Sequence, residues 1–165
     1  MIFATVGTHH QPFARFLAAL RDLDDEVIVQ YGRNERPEWA ARAEAFMPFK
    51  EILECMRTAD AVVTHAGVGS ILSASTLGQV PIVVPRLARL GEHVDDHQVE
   101  LSRALGRGGR VVVVWEGDDL SAAIASVRSL ASPERLRVTP LHAAVREALV
   151  TGSAGGGAVT SRARA

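Results

Sequence analysis

Short runs of apolar, β-branched residues alternate along the chain with longer segments in which apolar residues recur every three or four positions. The first run covers residues 2–6, and Pro12 then marks the start of a helix. The apolar positions of that helix predict one core-facing stripe, formed by Phe13, Phe16, Leu17 and Leu20. Strands that alternate with amphipathic helices indicate βαβ units, with a parallel sheet between helices.

The rest of the pattern continues this alternation. Further strands are predicted at residues 27–30, near Phe46, and at 61–64, 81–84 and 111–115. Helices are predicted as a turn within 38–45 and as longer segments at about 52–58, 70–77, 95–105, 119–130 and 141–150. The sequence shows no internal repeat, so these elements are expected to form a single α/β domain.

Length and composition limit the class of protein. The 165 residues, 47% hydrophobic and 22% charged, suit one folded domain at residues 1–150. Residues 151–165 hold four of the 14 glycines and no acidic residue, a composition typical of a flexible tail. The net charge of −1 argues against binding to nucleic acid and against direct attraction to an anionic membrane.

The single cysteine, Cys55, excludes an intramolecular disulfide and suits a reducing compartment, so a cytoplasmic location is expected. No segment resembles a signal peptide or a membrane span.

Three loops are expected at the carboxyl edge of the sheet, where ligands of open α/β folds bind: residues 7–11, 65–70 and 85–98. In the middle loop, Gly67 and Gly69 allow close approach of the backbone to a ligand, and Ser70 is expected to cap the following helix. The free amides at that helix start would suit an anion such as phosphate. Five of the six histidines fall in these loops, which favours a site there: His9, His10, His65, His93 and His97.

Several other interpretations are weaker. The glycines could simply form a tight structural turn, and this alternative stays open. The loop matches neither the dinucleotide fingerprint, which needs glycine at Leu72, nor a P-loop, which needs lysine before Ser70. A serine hydrolase would need G-x-S-x-G where the chain has GVGSI. His93 and His97 are spaced like metal ligands on one helix face, but the segment equally resembles a polar helix start, and no metal site is assigned.

The segments ATVGTHHQPFARF, ADAVVTHAGVGSI, GQVPIVVPR and GEHVDDHQVEL, in this order, resemble the C-terminal donor-binding domain of glycosyltransferase family 28. Within that family the chain is similar to single-domain donor-binding subunits of two-subunit UDP-GlcNAc transferases and to bacterial polysaccharide-synthesis homologues. The resemblance covers residues 1 to about 130. It implies a Rossmann-like parallel sheet flanked by helices, the C-terminal half of a GT-B glycosyltransferase.

The resemblance also implies roles for particular residues. Gly7 and Thr8 would lie beside the donor diphosphate, and the sugar hydroxyls would contact His97 and Gln98. The phosphate and ribose would be held by His65, Gly67, Gly69 and Ser70, with Glu92 and His93 in the same site in a less settled role.

The chain departs from the family at two positions. Ser73 stands where many relatives have a glutamate that binds the ribose, and Arg15 stands where relatives often have an acid, on what is expected to be the helix surface. His9 is the candidate catalytic base, although the family architecture also allows a partner to supply that base.

By this resemblance the chain is expected to be the donor-binding subunit of an inverting glycosyltransferase that moves a sugar from UDP-GlcNAc or a related UDP-sugar to a lipid-linked or polysaccharide acceptor. A membrane-associated partner subunit would supply the acceptor side, so membrane contact at the inner face would come only through that partner. No cofactor is expected.

The alternative is a non-catalytic UDP-sugar binding module that stabilises or regulates a partner transferase. A third hypothesis, an unrelated flavodoxin-like signalling domain, is disfavoured by the HAGVGS and EHVDDHQ motifs.

Overall fold

A single parallel sheet runs through the part of the chain that the structure, a computed structural model, describes: residues 1–130. Its strands are β1 (Ile2–Thr5), β2 (Val27–Gln30), β3 (Arg42–Glu44), β4 (Ala61–His65), β5 (Ile82–Val84) and β6 (Val112–Val113). The helices are α1 (Ala14–Arg21), α2 (Phe49–Thr58), α3 (Val68–Thr76), α4 (His97–Arg107) and α5 (Leu120–Leu130), with a short 3₁₀ turn at Ala88–Leu90.

The strand order is β3-β2-β1-β4-β5-β6, and every neighbouring pair is parallel. Because β1 lies between β2 and β4, the direction of winding reverses there, and a crevice forms outside the carboxyl ends of these two strands. This order confirms the predicted Rossmann-like α/β architecture. It also places the loops after β1, β4 and β5 at one edge of the molecule.

The core lies on both faces of the sheet, which explains why the central strands are apolar at nearly every position. Alternation along β1 sends Ile2 and Ala4 to the layer packed by α1 and α5, and Phe3 to the layer packed by α2 and α3. A third group of buried residues joins α3 and α4 to β5: Ile71, Val83, Leu101 and Leu105. The predicted stripe on α1 is buried, as its spacing indicated.

The first helix begins later than predicted. Pro12 precedes it by two residues, and Phe13 has φ −134°, which lies outside the helical region. The Phe13 amide donates to Asn34 Oδ1 at 2.5 Å, so a contact with the loop after β2 replaces the first helical position that the proline signal indicated.

The segment at 38–45, predicted to be a helical turn, contains strand β3 instead. Arg42–Glu44 pairs in parallel with β2, two residues before the strand predicted near Phe46. A three-residue edge strand has too little periodicity for a pattern to separate it from a helical turn. The last strand, β6, is two residues long where five were predicted.

The helix at 141–150 and the tail at 151–165 lie outside the described residues, so the predicted domain boundary stays a prediction. Within residues 1–130, no helix has the length and apolar character needed to cross a membrane.

Candidate functional site

A cleft of about 350 Å³ opens beside the carboxyl ends of β1 and β4. Its lining includes seven of the residues that the sequence assigned to donor binding: Gly7, Thr8, His65, Gly67, Gly69, Ser70 and Ser73. The cleft therefore lies at the reversal point of the sheet, where open α/β folds place their ligands. Five further lining residues were not predicted: Thr5, Gln30, Phe49, Ile52 and Met56.

Helix α3 points its amino end into this cleft. Gly67 is the N-cap residue, and within the described residues no acceptor is paired with the amides of Val68, Gly69 and Ser70. Ser70 is the third residue of the helix and makes no capping hydrogen bond, so its predicted capping role is wrong. The three free amides and the positive end of the helix dipole suit an anionic group such as a phosphate.

His65 packs its imidazole between two glycines. A Cβ atom at Gly7 would lie 2.5 Å from His65 Nε2, and one at Gly67 would lie 2.8 Å from His65 Cε1. Gly7 also has φ +75°, a conformation that favours glycine. A Cβ atom at Gly69, by contrast, would meet nothing within 4 Å, so that glycine faces the open cleft. Gly7 and Gly67 thus have a structural reason to be glycine, and Gly69 has none.

The environment of His65 keeps its ring neutral. Burial, reinforced by the positive charge of Arg86, lowers the pKa of His65 to about 4. Thr64 Oγ1 lies 3.4 Å from Nδ1. At neutral pH the ring therefore offers one donor and one acceptor to its surroundings.

A buried polar network supports the floor of the cleft. Gln30 Nε2 and the Gly7 amide both donate to Thr5 Oγ1 at 3.1 Å, and the Met47 amide donates to Gln30 Oε1 at 3.1 Å. These bonds hold the loop after β1 against the segment before α2. Thr5 and Gln30 are polar residues that end apolar strands at the carboxyl edge, and that position was the signal that could have identified them.

His9 and His93 meet across two loops. Their ring centroids are 4.4 Å apart, and His10 lies 6.4 Å from His9. His9 Nε2 is buried and has no partner among the described residues. Burial first, and then the charges of His93 and Arg86, lower the pKa of His9, which favours the neutral form of its ring.

Two predicted contact residues are held inside the protein. Glu92 is buried, pairs with Arg15 at 2.8 Å and accepts from the Leu87 amide at 2.9 Å. Gln98 is buried as well, and its Oε1 accepts from the Arg86 amide at 3.2 Å. Neither residue lines the cleft. Arg15, expected on the helix surface, is instead partly buried as the partner of Glu92.

The start of α4 separates His93 from His97. The helix begins at His97, so the two rings do not share a helix face as the metal-site hypothesis required. His93 contacts Asp95, and the His97 amide donates to Asp95 Oδ1 at 3.0 Å while its side chain is exposed. In the described part of the chain, no three ligating side chains are grouped closely enough to hold a metal ion.

Curated relatives match this chain over part of their own length. It is 32% identical over 154 residues to the tylactone mycaminosyltransferase of Streptomyces fradiae, a match that covers 82% of this chain and 33% of that protein. It is 30% identical over 102 residues to the UDP-N-acetylglucosamine transferase subunit ALG13 of Yarrowia lipolytica, covering 58% of this chain and 50% of that protein. The chain thus spans between a third and a half of the length of these relatives.

Solved structures share the fold at lower sequence identity. The kitacinnamycin glycosyltransferase superimposes with a TM-score of 0.61 and 21% identity, over 92% of this chain and 40% of that one. The calicheamicin glycosyltransferase CalG4 gives a TM-score of 0.58 and 17% identity, over 94% of this chain and 44% of that one. These likenesses show that the chain shares its fold with about two fifths of each of these glycosyltransferases.

The sequence motifs agree with the fold. A family model described as the glycosyltransferase family 28 C-terminal domain matches residues 1–134. That range contains the glycine loop, the cleft and the complete described sheet. The chain therefore belongs to glycosyltransferase family 28, as a C-terminal domain of that family.

Proposed function

We propose that this chain binds the nucleotide-sugar donor of an inverting glycosyltransferase, with the donor diphosphate against the amino end of α3. The observation that carries the proposal is the set of free amides at Val68, Gly69 and Ser70, at the mouth of the cleft. Sugar transfer leaves negative charge on the departing diphosphate, and fixed amides with a helix dipole stabilise that charge without reorganising.

The proposed donor is UDP-GlcNAc or a related UDP-sugar. One curated relative is named as a UDP-N-acetylglucosamine transferase subunit, while another is named for mycaminosyl transfer. The proposal therefore specifies the nucleotide first, and UDP without sugar is the direct probe of it. A hexosyl group would extend from the diphosphate towards the loop that follows β5.

Each cleft residue has a role in this proposal. Gly7 and Thr8 contact the diphosphate from the β1 side, while Gly67, Gly69 and Ser70 contact it from α3. Ser73, one helical turn further along, lies on the ribose side. His65 fills the space between the two phosphate loops.

The loop after β5 acts on the sugar. His97 is exposed and available to a hydroxyl, whereas buried Glu92 and Gln98 act by holding the loop in shape. His9 is the candidate base for the acceptor hydroxyl, because its lowered pKa favours the neutral ring and its buried Nε2 is unpartnered among the described residues.

The acceptor side would come from a partner. The ALG13 relative is named as a subunit, and this chain matches half of its length. We propose a membrane-associated, acceptor-binding partner subunit that presents a lipid-linked or polysaccharide acceptor at the cytoplasmic face of the membrane. This chain itself would reach the membrane only through that partner.

A second candidate is a UDP-sugar binding module that does not catalyse transfer. Ser73 favours it, because its hydroxyl donates to the Gly69 carbonyl at 2.8 Å and offers no carboxylate to the ribose. Transfer of radiolabel from a UDP-sugar to a lipid acceptor by the reconstituted pair would support the enzyme. Donor binding by the pair without any transfer would support the module.

The test of donor binding is a thermal unfolding titration with UDP in the presence of a chelator. Since the proposed phosphate contacts are backbone amides, UDP alone should stabilise the protein by about 2.7 kcal/mol at a hundredfold excess over its dissociation constant. The Gly69→Val variant should fold and lose this effect, because its side chain would fill the open face of the loop. Stabilisation that requires magnesium or manganese, or normal UDP binding by Gly69→Val, would contradict the proposed contacts.

A further inference from the structure

Arg86, the second residue after β5, is completely buried, and its guanidinium reaches three separate segments. Nη2 donates to the Val6 carbonyl at 3.0 Å, at the end of β1. Nη1 donates to the carbonyls of Gln11 and Pro12 at 2.9 and 3.4 Å, and to that of Glu92 at 2.9 Å. One side chain therefore bridges the loop after β1 and the loop after β5.

The surroundings of Arg86 supply hydrogen-bond partners to both terminal nitrogens of its guanidinium, while its buried Nε has no partner among the described residues. Its guanidinium lies 4.5 Å from the centre of the Phe13 ring, a favourable cation–π distance. Four carbonyl oxygens accept from it. Burying an arginine is unfavourable unless such partners are supplied, so a residue whose only task was to fill space would more readily be apolar.

Neighbouring groups extend the contact. The Arg86 amide donates to Gln98 Oε1 on α4, and the Glu92 carboxylate accepts from Arg15 on α1 at 2.8 Å. We call these four residues, Arg15, Arg86, Glu92 and Gln98, the Arg86 network. The network includes two residues that sequence resemblance had placed against the donor, and it uses both of them to join loops.

We propose that Arg86 is a positioning residue of the donor site: it locks the loop at 7–11 to the loop at 85–98, so that groups from both loops face the donor in a fixed arrangement. This inference rests on the proposed donor-binding function. The contact of His9 with His93 at 4.4 Å is the visible result, since each ring belongs to a different loop. Gly7 and Thr8 belong to the same locked segment and line the cleft.

Lysine could not replace this arrangement. An ammonium group is a compact charge on a flexible stem, whereas the planar guanidinium presents donors in a fixed fork. Nη1 donates to the carbonyls of Gln11 and Glu92, and Nη2 donates to that of Val6, so the two nitrogens reach different segments of the chain. Arg86→Lys should therefore keep the positive charge and lose the hydrogen bonds that join the two loops. The variant thus separates the effect of the charge from the effect of the loop contacts.

The positive charge of Arg86 should have a measurable effect on nearby histidine pKa values. It helps to lower the pKa of both His9 and His65. Other charged or titratable groups that act on His9 are His93, His10 and Asp95, and these remain in an Arg86 variant. Arg86→Met should raise the pKa of His9 and His65, while Arg86→Lys should leave both closer to the wild-type values.

The experiment compares Arg86→Lys and Arg86→Met with Arg128→Met as the matched control. Arg128 lies on α5 and pairs with Asp25 at 2.7 Å. It does not line the cleft. For each protein, UDP affinity is measured by calorimetry, histidine pKa values by NMR titration, and the His9–His93 contact by the nuclear Overhauser effect between the rings without ligand.

Both Arg86 variants should lose the ring-to-ring contact and bind UDP about tenfold or more weakly, as expected when loops that carry contact groups are misplaced. The control should retain both properties. If Arg86→Met does not fold, Arg86→Lys decides the question, because it retains the buried charge. A folded Arg86→Lys protein with unchanged UDP affinity and an intact ring contact would overturn the proposal.

The outcomes also separate this inference from the donor-binding proposal. If the wild-type protein does not bind UDP, the proposed function fails, and the ring contact still reports whether Arg86 sets the loop arrangement. If the Arg86 variants lose only thermal stability, with affinity, ring contact and histidine pKa values unchanged, Arg86 is a scaffold residue and the positioning role is wrong.

Discussion

The imidazole of His65 occupies the space that two absent side chains would fill. Gly7 and Gly67 lie on either side of it, so the ring replaces their side chains in packing the turn between β4 and α3. In the glycine loop, Gly67 is required by the packing of the turn against His65, whereas Gly69 faces open space in the cleft. The structural interpretation of the loop therefore applies at Gly67, while ligand binding at Gly69 stays a prediction.

Gly67→Ala should destabilise the protein by roughly 1 to 3 kcal/mol, because the new methyl group would overlap the His65 ring. Gly69→Ala is the matched control: it lies in the first turn of α3 with open space around it, and alanine there should be neutral or stabilising by up to about 1 kcal/mol. Urea denaturation measures both changes. The cost of Gly67→Ala should shrink in a His65→Ala background, and an unchanged cost would show that the ring is not the obstacle.

The depressed pKa of His65 should make stability depend on pH. The folded value is about 4 and the unfolded value about 6.5, so between them the unfolded chain binds the extra proton. This contribution is present above about pH 6.5 and is lost as the pH falls towards 4. The free energy of unfolding should drop by roughly 2 kcal/mol from this group between about pH 7 and 5.

Urea denaturation at both pH values, on the wild-type protein and on His65→Gln, checks this expectation. The variant should lose that part of the pH dependence, because it has no group that titrates at the position. Equal pH dependence in the two proteins would show that His65 is not desolvated in the folded state.

Helix α3 brings its free amides and Ser73 to the same cleft, one helical turn apart. The Ser73 hydroxyl is already used within the helix, as a donor to the Gly69 carbonyl. Nothing at this position supplies the two strong acceptors that a ribose diol would use. With Ser73 in place of the glutamate that many relatives have, α3 therefore offers no charged acceptor at this position.

Ser73→Glu should improve UDP affinity about tenfold or more, because a hydrogen bond to a charged acceptor contributes roughly 1.5 to 3 kcal/mol. Calorimetry with UDP and with its 2′-deoxy analogue measures the change, and the gain should be smaller for the analogue. Weaker binding would indicate repulsion between the new carboxylate and the diphosphate. Equal gains for both ligands, or no gain, would show that Ser73 does not face the ribose.

The strand order brings three loops that are far apart in the sequence to one edge of the sheet. β1, β4 and β5 are adjacent in the sheet, so their carboxyl ends meet at one edge. The cleft there is open, and the chain covers a third to a half of the length of its curated relatives. A complete transfer site would need an acceptor side as well as the proposed donor side.

The isolated chain should bind UDP and show little or no sugar transfer, whereas addition of an acceptor-binding partner should restore transfer. Radiolabel passed from a UDP-sugar to a lipid-linked acceptor, measured with and without the partner, tests this expectation. Efficient transfer by the chain alone would show that the acceptor side does not depend on a partner.

Local patterns were sufficient for most of the architecture. The apolar runs of β1, β4 and β5 indicate burial directly because both faces of the sheet are covered, and the stripe on α1 does so because it follows the helical period. The glycine loop between β4 and α3 could be located in the same way. Short or edge elements could not, since β3 is only three residues long and acquires its hydrogen bonds from β2.

The roles of the charged and polar residues were decided by tertiary structure. Glu92 and Gln98 are polar residue types that commonly contact ligands. In this fold their side chains instead accept hydrogen bonds from Arg15 and from the Arg86 amide, inside the protein. The Arg86 side chain is itself buried, and the carbonyls of four residues accept from its guanidinium: Val6, Gln11, Pro12 and Glu92. The free energy of a buried polar group depends on its hydrogen-bond partners, and here those partners come from distant parts of the chain. A linear pattern can therefore show which residues are polar, while the fold determines whether each one faces the donor or holds a loop.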